Sequence, residues 1–240
     1  MRRAAGRERM RVIARFAGPQ GEIAIIEKLS TGMRVYREGG VEQSCVLPGG
    51  EAGVAYVCLM ATLLVDARSA LLLGCGGGAL GGMLYRRGLA VTVVDSNPIS
   101  FELARMFFWM PEGIACISSD MRHYVRTQRR RFDAIGIDVG GPSFSYADVL
   151  DPVTIAHVRG RLKDGGRIAI NISCETPDDP LPARIAQRLS RHGLEVWLFK
   201  EDATRAREVN AVILASDQAE EAQKLAAMAP PLWTLARLCA

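Results

Sequence analysis

Groups that announce metal, disulfide or membrane chemistry are scarce in this chain. Its 240 residues hold three histidines, and none stands at a familiar ligand spacing from a second histidine or a cysteine. The six cysteines, at 45, 58, 75, 116, 174 and 239, form no C-x-x-C pair. That pattern offers no metal site and predicts small buried thiols in a reducing cytosol. No apolar run reaches the roughly 18 residues of a membrane span, and the Arg-rich start "MRRAAGRERMRVIARF" lacks the apolar core of a signal peptide. A soluble, cytoplasmic protein with no membrane partner is expected. Excess charge of one sign is also missing: 30 Lys+Arg stand against 26 Asp+Glu, a net +4, which names no polyanionic partner. The basic residues Arg122, Arg126, Arg129, Arg130 and Arg131 do cluster. They read as a solvated helix face, with nucleic acid as the alternative. Apolar residues are plentiful at 49%, enough for one sizeable core.

The chain has two textures. From Arg11 to about Val46, short alternating runs broken by glycine ("EIAIIEKL", "MRVYRE", "VEQSCV") predict a small antiparallel β unit within residues 1–50. A buried helix follows in "EAGVAYVCLMATLLV". Over 51–216 strands alternate with helical stretches: "ALLLG", "AVTVVD", "IACIS", "FDAIGID" and "RIAINIS" are strands with helices between them. This is the signature of βαβ units, an α/β doubly wound sheet of mostly parallel strands. Only eight residues, "EDATRARE", join "LEVWLFK" to "VNAVILA", so these two strands should pair antiparallel and complete a seven-stranded sheet. Residues 217–240 read as a C-terminal helix and tail.

The stretch "LLLGCGGGALGG" carries six glycines in twelve residues directly behind a strand and at the start of a helix. Gly74, Gly76, Gly77 and Gly78 suit a loop that receives a nucleotide cofactor on its backbone N–H groups. Asp95 ends the next strand, where a carboxylate can accept both hydroxyls of an adenosine ribose. Gly74-x-Gly76-x-x-Ala79 also fits the dinucleotide fingerprint, so an NAD(P) oxidoreductase stays in view. Against it stand the β unit before the sheet, the antiparallel pair at its end, and Asp120 after the third strand. An acid there can accept from an adenine amino group, which favours an S-adenosyl nucleoside. Asp138, ending the fourth strand, faces the cofactor side and is the candidate base. The loop "GGPSFSYADVL" beyond it supplies the candidate acceptor contacts Tyr146 and Asp148. His123, His157 and His192 read as surface or packing residues, and Phe107, Phe108 and Trp109 as core or subunit contacts.

With these residues in place, the chain resembles the spermidine synthase family, the aminopropyltransferases built on the Rossmann-like class I methyltransferase fold. The resemblance runs from about residue 20 to 200 through "GVEQS", "LLLGCGGGALGG", "VTVVDSNP", "SSDMRHYV", "FDAIGIDVGGP" and "LKDGGRIAINIS". It implies that Gln43, Asp95 and Asp120 contact the nucleoside, that Asp138 takes a proton from the attacking amine, and that the protein is a homodimer.

The departures fall on the substrate end. The family's loop acid corresponds to Gly77, and the second acid of its Asp-x-x-Asp-Pro pattern to Gly141. Its Tyr-His-Glu stretch survives only as Tyr56. Two carboxylates about 5 Å apart at an effective dielectric near 20 repel by roughly 3 kcal/mol, about two decades in affinity. An acid at 77 would therefore select decarboxylated S-adenosylmethionine, and its loss admits ordinary S-adenosylmethionine with its carboxylate tail. Methyl transfer to a small-molecule acceptor is the favoured expectation. Aminopropyl transfer to a polyamine is the alternative, with Asp148 replacing a lost acid. A non-catalytic nucleoside-binding module is the remaining class.

Overall fold

Alternation of apolar and polar residues at period two builds the first layer. β1 (Met10–Gly18), β2 (Gly21–Lys28), β3 (Arg34–Glu38) and β4 (Val41–Val46) pair antiparallel in chain order. Ile23, Ile25, Tyr36 and Val46 point into the main core, while Ala24, Ile26, Val35 and Cys45 make a separate cluster on the other face. The computed structural model describes residues 8–140, 144–201, 209–230 and 233–238.

Then come α1 (Ala55–Leu63), β5 (Ser69–Leu73), α2 (Ala79–Arg86), β6 (Ala90–Asp95), α3 (Ile99–Phe108), β7 (Ala115–Ser118), α4 (Met121–Thr127) and β8 (Phe132–Ile137). The chain continues through α5 (Tyr146–Val149), α6 (Pro152–Arg161), β9 (Leu162–Cys174), α7 (Leu181–Ser190), β10 (Glu195–Glu201), β11 (Val209–Ser216), α8 (Ala219–Ala227) and β12 (Trp233–Leu238). The large sheet has the order β12-β10-β11-β9-β8-β5-β6-β7. From β9 to β7 it is parallel, as crossover helices require, and β10 and β11 pair antiparallel as the short connection demands. Side-chain alternation splits its apolar residues between two layers. Ala70 and Leu72 join α1, α2, α3, α8 and the small sheet, whereas Leu71 and Leu73 join α4, α6 and α7.

Two features depart from the sequence reading. Among the described residues the sheet has eight strands where seven were expected, because residues 233–238 of the expected tail pair antiparallel with β10. Insertion of β11 beside β9 leaves the outer edge of β10 unpaired, and β12 satisfies its backbone groups while burying Trp233 to 7% exposure. Strand β9 also begins at Leu162, before the expected Gly165-Gly166 turn, which becomes a register shift against β8.

Among the described residues no helix is long and apolar enough to cross a membrane, and no three His, Cys, Asp or Glu side chains group as metal ligands. The five described cysteines are unpaired.

Candidate functional site

The carboxyl ends of β5, β6, β7 and β8 converge beneath β4, and the glycine loop joins them. Gly74 has φ +102, and its N–H donates to Val94 O at 2.8 Å. A Cβ there would collide with the carbonyl of Asp138, whose own N–H donates to Leu73 O at 2.9 Å. At Gly78, which caps α2 with φ +72, a Cβ would lie 2.7 Å from Met110 Sδ. At Gly77 it would lie 2.9 Å from Val46 Cγ2 and 3.1 Å from Ser44 Oγ. Sequence reasoning assigns these missing side chains to an approaching cofactor. The structure supplies a nearer cause at 74, 77 and 78: the loop is wedged between β8, β4 and the segment after α3. What the wedging leaves open is polar, since among the described residues no acceptor meets the backbone N–H of Gly76 or Gly77.

Asp95 anchors the loop from β6. Its Oδ2 accepts from Cys75 N at 2.7 Å and its Oδ1 from Asn97 N at 2.8 Å. Burial raises its pKa; the Asn97 and Cys75 N–H groups oppose this, and nearby Glu38 adds a smaller upward push. Each oxygen keeps a further lone pair, the acceptor capacity a ribose diol requires. Asp120 caps α4 through His123 N at 2.9 Å, with a half-exposed side chain, and Ser119 N–H donates to Asp95 O at 2.9 Å. The two acids therefore stand at adjacent strand ends. Gln43 lies across the loop on β4, its backbone carbonyl oxygen 3.6 Å from where a Gly76 Cβ would be. Behind them Tyr36 donates to the buried Glu38 at 3.2 Å, and Tyr36 stacks edge-on with Phe108. Phe107 packs on Phe16, and Trp109 lies under the Arg34 guanidinium, so this aromatic run joins α3 to the small sheet.

Asp138 forms a second cluster beside Gly74. Asn171 Nδ2 donates to Asp138 Oδ1 at 3.0 Å, and the Tyr56 hydroxyl donates to the same carboxylate. Burial pushes the Asp138 carboxyl above its ordinary value, against the pull of these two donors. The Tyr56 phenol is also raised, by burial first and by the Asp138 charge second. Tyr146 accepts from Ser173 N at 3.2 Å, and its phenol is pushed up to about 12 by burial, with Asp138 contributing. Thus Tyr56, Asp138, Tyr146 and Asn171 come together. Asp148 does not join them: it is exposed on α5, and its N–H serves the Ser145 cap. Gly141, Pro142 and Ser143, part of the expected acceptor loop, lie outside the described residues.

The site thus offers carboxylate lone pairs at Asp95, loop N–H groups at Gly76 and Gly77 without an acceptor among the described residues, and a buried carboxylate with raised proton affinity at Asp138. Sequence reasoning missed Asn171, Ser44 and the Tyr36–Glu38 pair, and it noted Tyr56 without placing it. Asn171 did carry a signal, an amide inside the apolar run "RIAINIS".

No protein-family model matches the chain. Over 112 residues, 44% of this chain, it is 32% identical to an N-terminal histidine N-methyltransferase of Emericella nidulans, a match spanning 20% of that relative's length. A probable spermidine synthase from Corynebacterium glutamicum superposes with a TM-score of 0.79 at 15% identity, covering 95% of this chain and 91% of that one. Human methyltransferase-like protein 13, solved in complex with SAH, gives a TM-score of 0.55 at 18% identity over 71% of this chain and 89% of that one. The fold is spermidine synthase-like, of the class I methyltransferase type.

Proposed function

We propose that this chain, with its spermidine synthase-like fold, is a transferase that binds S-adenosylmethionine and moves its methyl group to a small-molecule acceptor, an amine in the simplest case. The observation that carries the reading is the chemistry of the loop at Gly77. No carboxylate stands there, the room for one is taken by Val46 and Ser44, and the N–H groups of Gly76 and Gly77 are free to meet the carboxylate of a methionine tail. The sequence relative named as a methyltransferase supports the same branch. When bound, the nucleoside supplies a methyl group on a positively charged sulfur, an already good leaving group. The chain's own residues then need only position the partners and remove a proton. Asp95 and Asp120 hold the nucleoside, Gln43 closes over it from β4, and Asp138 takes the proton that the acceptor nitrogen gives up. Tyr146 lines the acceptor side.

A second reading, aminopropyl transfer from the decarboxylated nucleoside, is favoured by the superposition on a probable spermidine synthase, which covers nearly the whole chain. Calorimetry with the two nucleosides separates the branches. Tighter binding of S-adenosylmethionine is expected, and a clear preference for the decarboxylated form overturns the methyl reading. The same reading takes the working unit to be a cytoplasmic homodimer, which sedimentation equilibrium tests.

A further inference from the structure

Asn171 is 4% exposed in the middle of the large sheet, where an amide side chain is costly unless both of its ends are paired. Among the described residues only one end is: its Nδ2 donates to Asp138 Oδ1 at 3.0 Å, while its buried Oδ1 meets no hydrogen-bond donor there. Among the described residues Asp138 is therefore the single polar partner of this amide. The neighbouring register explains the approach, because Ile137 and Ile170 are paired across β8 and β9, and the residue after each follows at the same level. An apolar residue at 171 would remove the unpaired carbonyl and lose only the bond to Asp138. The sheet keeps a half-satisfied amide, and that bond is what the amide supplies.

We infer that Asn171 is a positioning residue whose amide holds Asp138 in its charged form and in a fixed orientation, ready to accept a proton. The inference rests on the reading of Asp138 as the base. Donation from an amide N–H favours a carboxylate over a carboxylic acid, since the acid has less negative charge to offer the donor. The other groups facing Asp138 are the Tyr56 hydroxyl from α1 and the Tyr146 phenol from α5, with Cys45 of β4 beside Tyr56 and Cys174 of β9 beside Tyr146. Among the described residues none of these is a cation, and the two neutral donors, Asn171 and Tyr56, offset the burial of this charge.

The test follows the Asp138 carboxyl directly, in whole protein labelled at the aspartate Cγ with carbon-13, its resonance identified by its loss in Asp138→Asn. In Asn171→Leu the titration midpoint is expected to rise by about one unit, a ~10-fold gain in proton affinity. The acid limb of the pH–rate profile should move with it while nucleoside affinity stays within about threefold. Asn171→Ala, which removes the donor without adding bulk, serves if the leucine variant does not fold. An unshifted midpoint in a folded variant overturns the inference. Because the titration needs no turnover, a shifted midpoint in a protein that transfers no methyl group upholds the role of Asn171 and overturns the proposed reaction. Active transfer with an unshifted midpoint does the reverse.

Discussion

The backbone N–H of Cys75 donates to Asp95 Oδ2 at 2.7 Å, tying the glycine loop after β5 to the end of β6. One carboxylate thereby shapes the loop and, in the proposed reading, also offers its remaining lone pairs to a ribose. Asp95→Ala removes both roles. Losing a charge-assisted hydrogen bond costs about 1.5–3 kcal/mol, so nucleoside affinity measured by calorimetry should fall by roughly 10- to 100-fold. Asp95→Asn, which keeps one acceptor oxygen, should fall less. Undiminished affinity in Asp95→Ala would place the nucleoside elsewhere.

Asp138→Asn should lower turnover by about 100-fold or more while nucleoside affinity holds within about threefold. Wild-type turnover would remove Asp138 from the reaction. Its raised pKa also makes a thermodynamic prediction. The folded protein ionises this group less readily than the unfolded chain does, so its contribution to stability is fully present below the ordinary value of 3.8 and is lost as pH rises through the higher folded pKa. The melting temperature of Asp138→Asn minus that of wild type should accordingly become more favourable from pH 4 to pH 7. A difference that is flat or declines over that range contradicts a raised pKa.

Gly77→Asp introduces the acid that the resemblance to the spermidine synthase family leads one to expect at this position, but its Cβ meets Val46 Cγ2 at 2.9 Å. Overpacking of this kind costs about 1–3 kcal/mol, a fall of roughly 2–12 °C in melting temperature for a chain of this size. Adding Val46→Ala should recover part of the loss. The double variant should bind the decarboxylated nucleoside in preference, by up to about two decades if the new carboxylate reaches the tail. No change in preference would mean that this position does not face the tail.

Gly74 and Gly88 both have φ near +90, so each resists a side chain by backbone conformation alone. They differ in surroundings: a Cβ at Gly74 collides with the Asp138 carbonyl, whereas one at Gly88 meets nothing within 4 Å. Gly88→Ala should therefore cost only about 1–2 kcal/mol, and Gly74→Ala distinctly more, read as urea midpoints. Equal losses would mean that wedging against β8 adds nothing.

Much of this architecture was legible in order along the chain. Runs such as "ALLLG" and "FDAIGID", each ended by glycine or an acid, mark the strands and put Asp95, Asp120 and Asp138 at carboxyl ends without any knowledge of the packing. "EDATRARE" is too short for a crossover, and the antiparallel β10–β11 pair follows. Strand β12 was not legible, because an edge strand of six residues after a proline-containing stretch pairs only where β10 has left an edge. Nor was the company of Asp138. Tyr56, Tyr146 and Asn171 come from two helices and a neighbouring strand, and their meeting depends on helix placement and register.

The glycine run shows where the division falls. Composition and spacing already require a backbone free of side chains between a strand and a helix, because positive φ at Gly74, Gly76 and Gly78 is a local property that glycine alone adopts cheaply. The reason a side chain is costly at Gly77 is different. Val46 and Ser44 arrive there from the small sheet, far away in the chain, and the cost of a Cβ is set by the atoms that come to meet it.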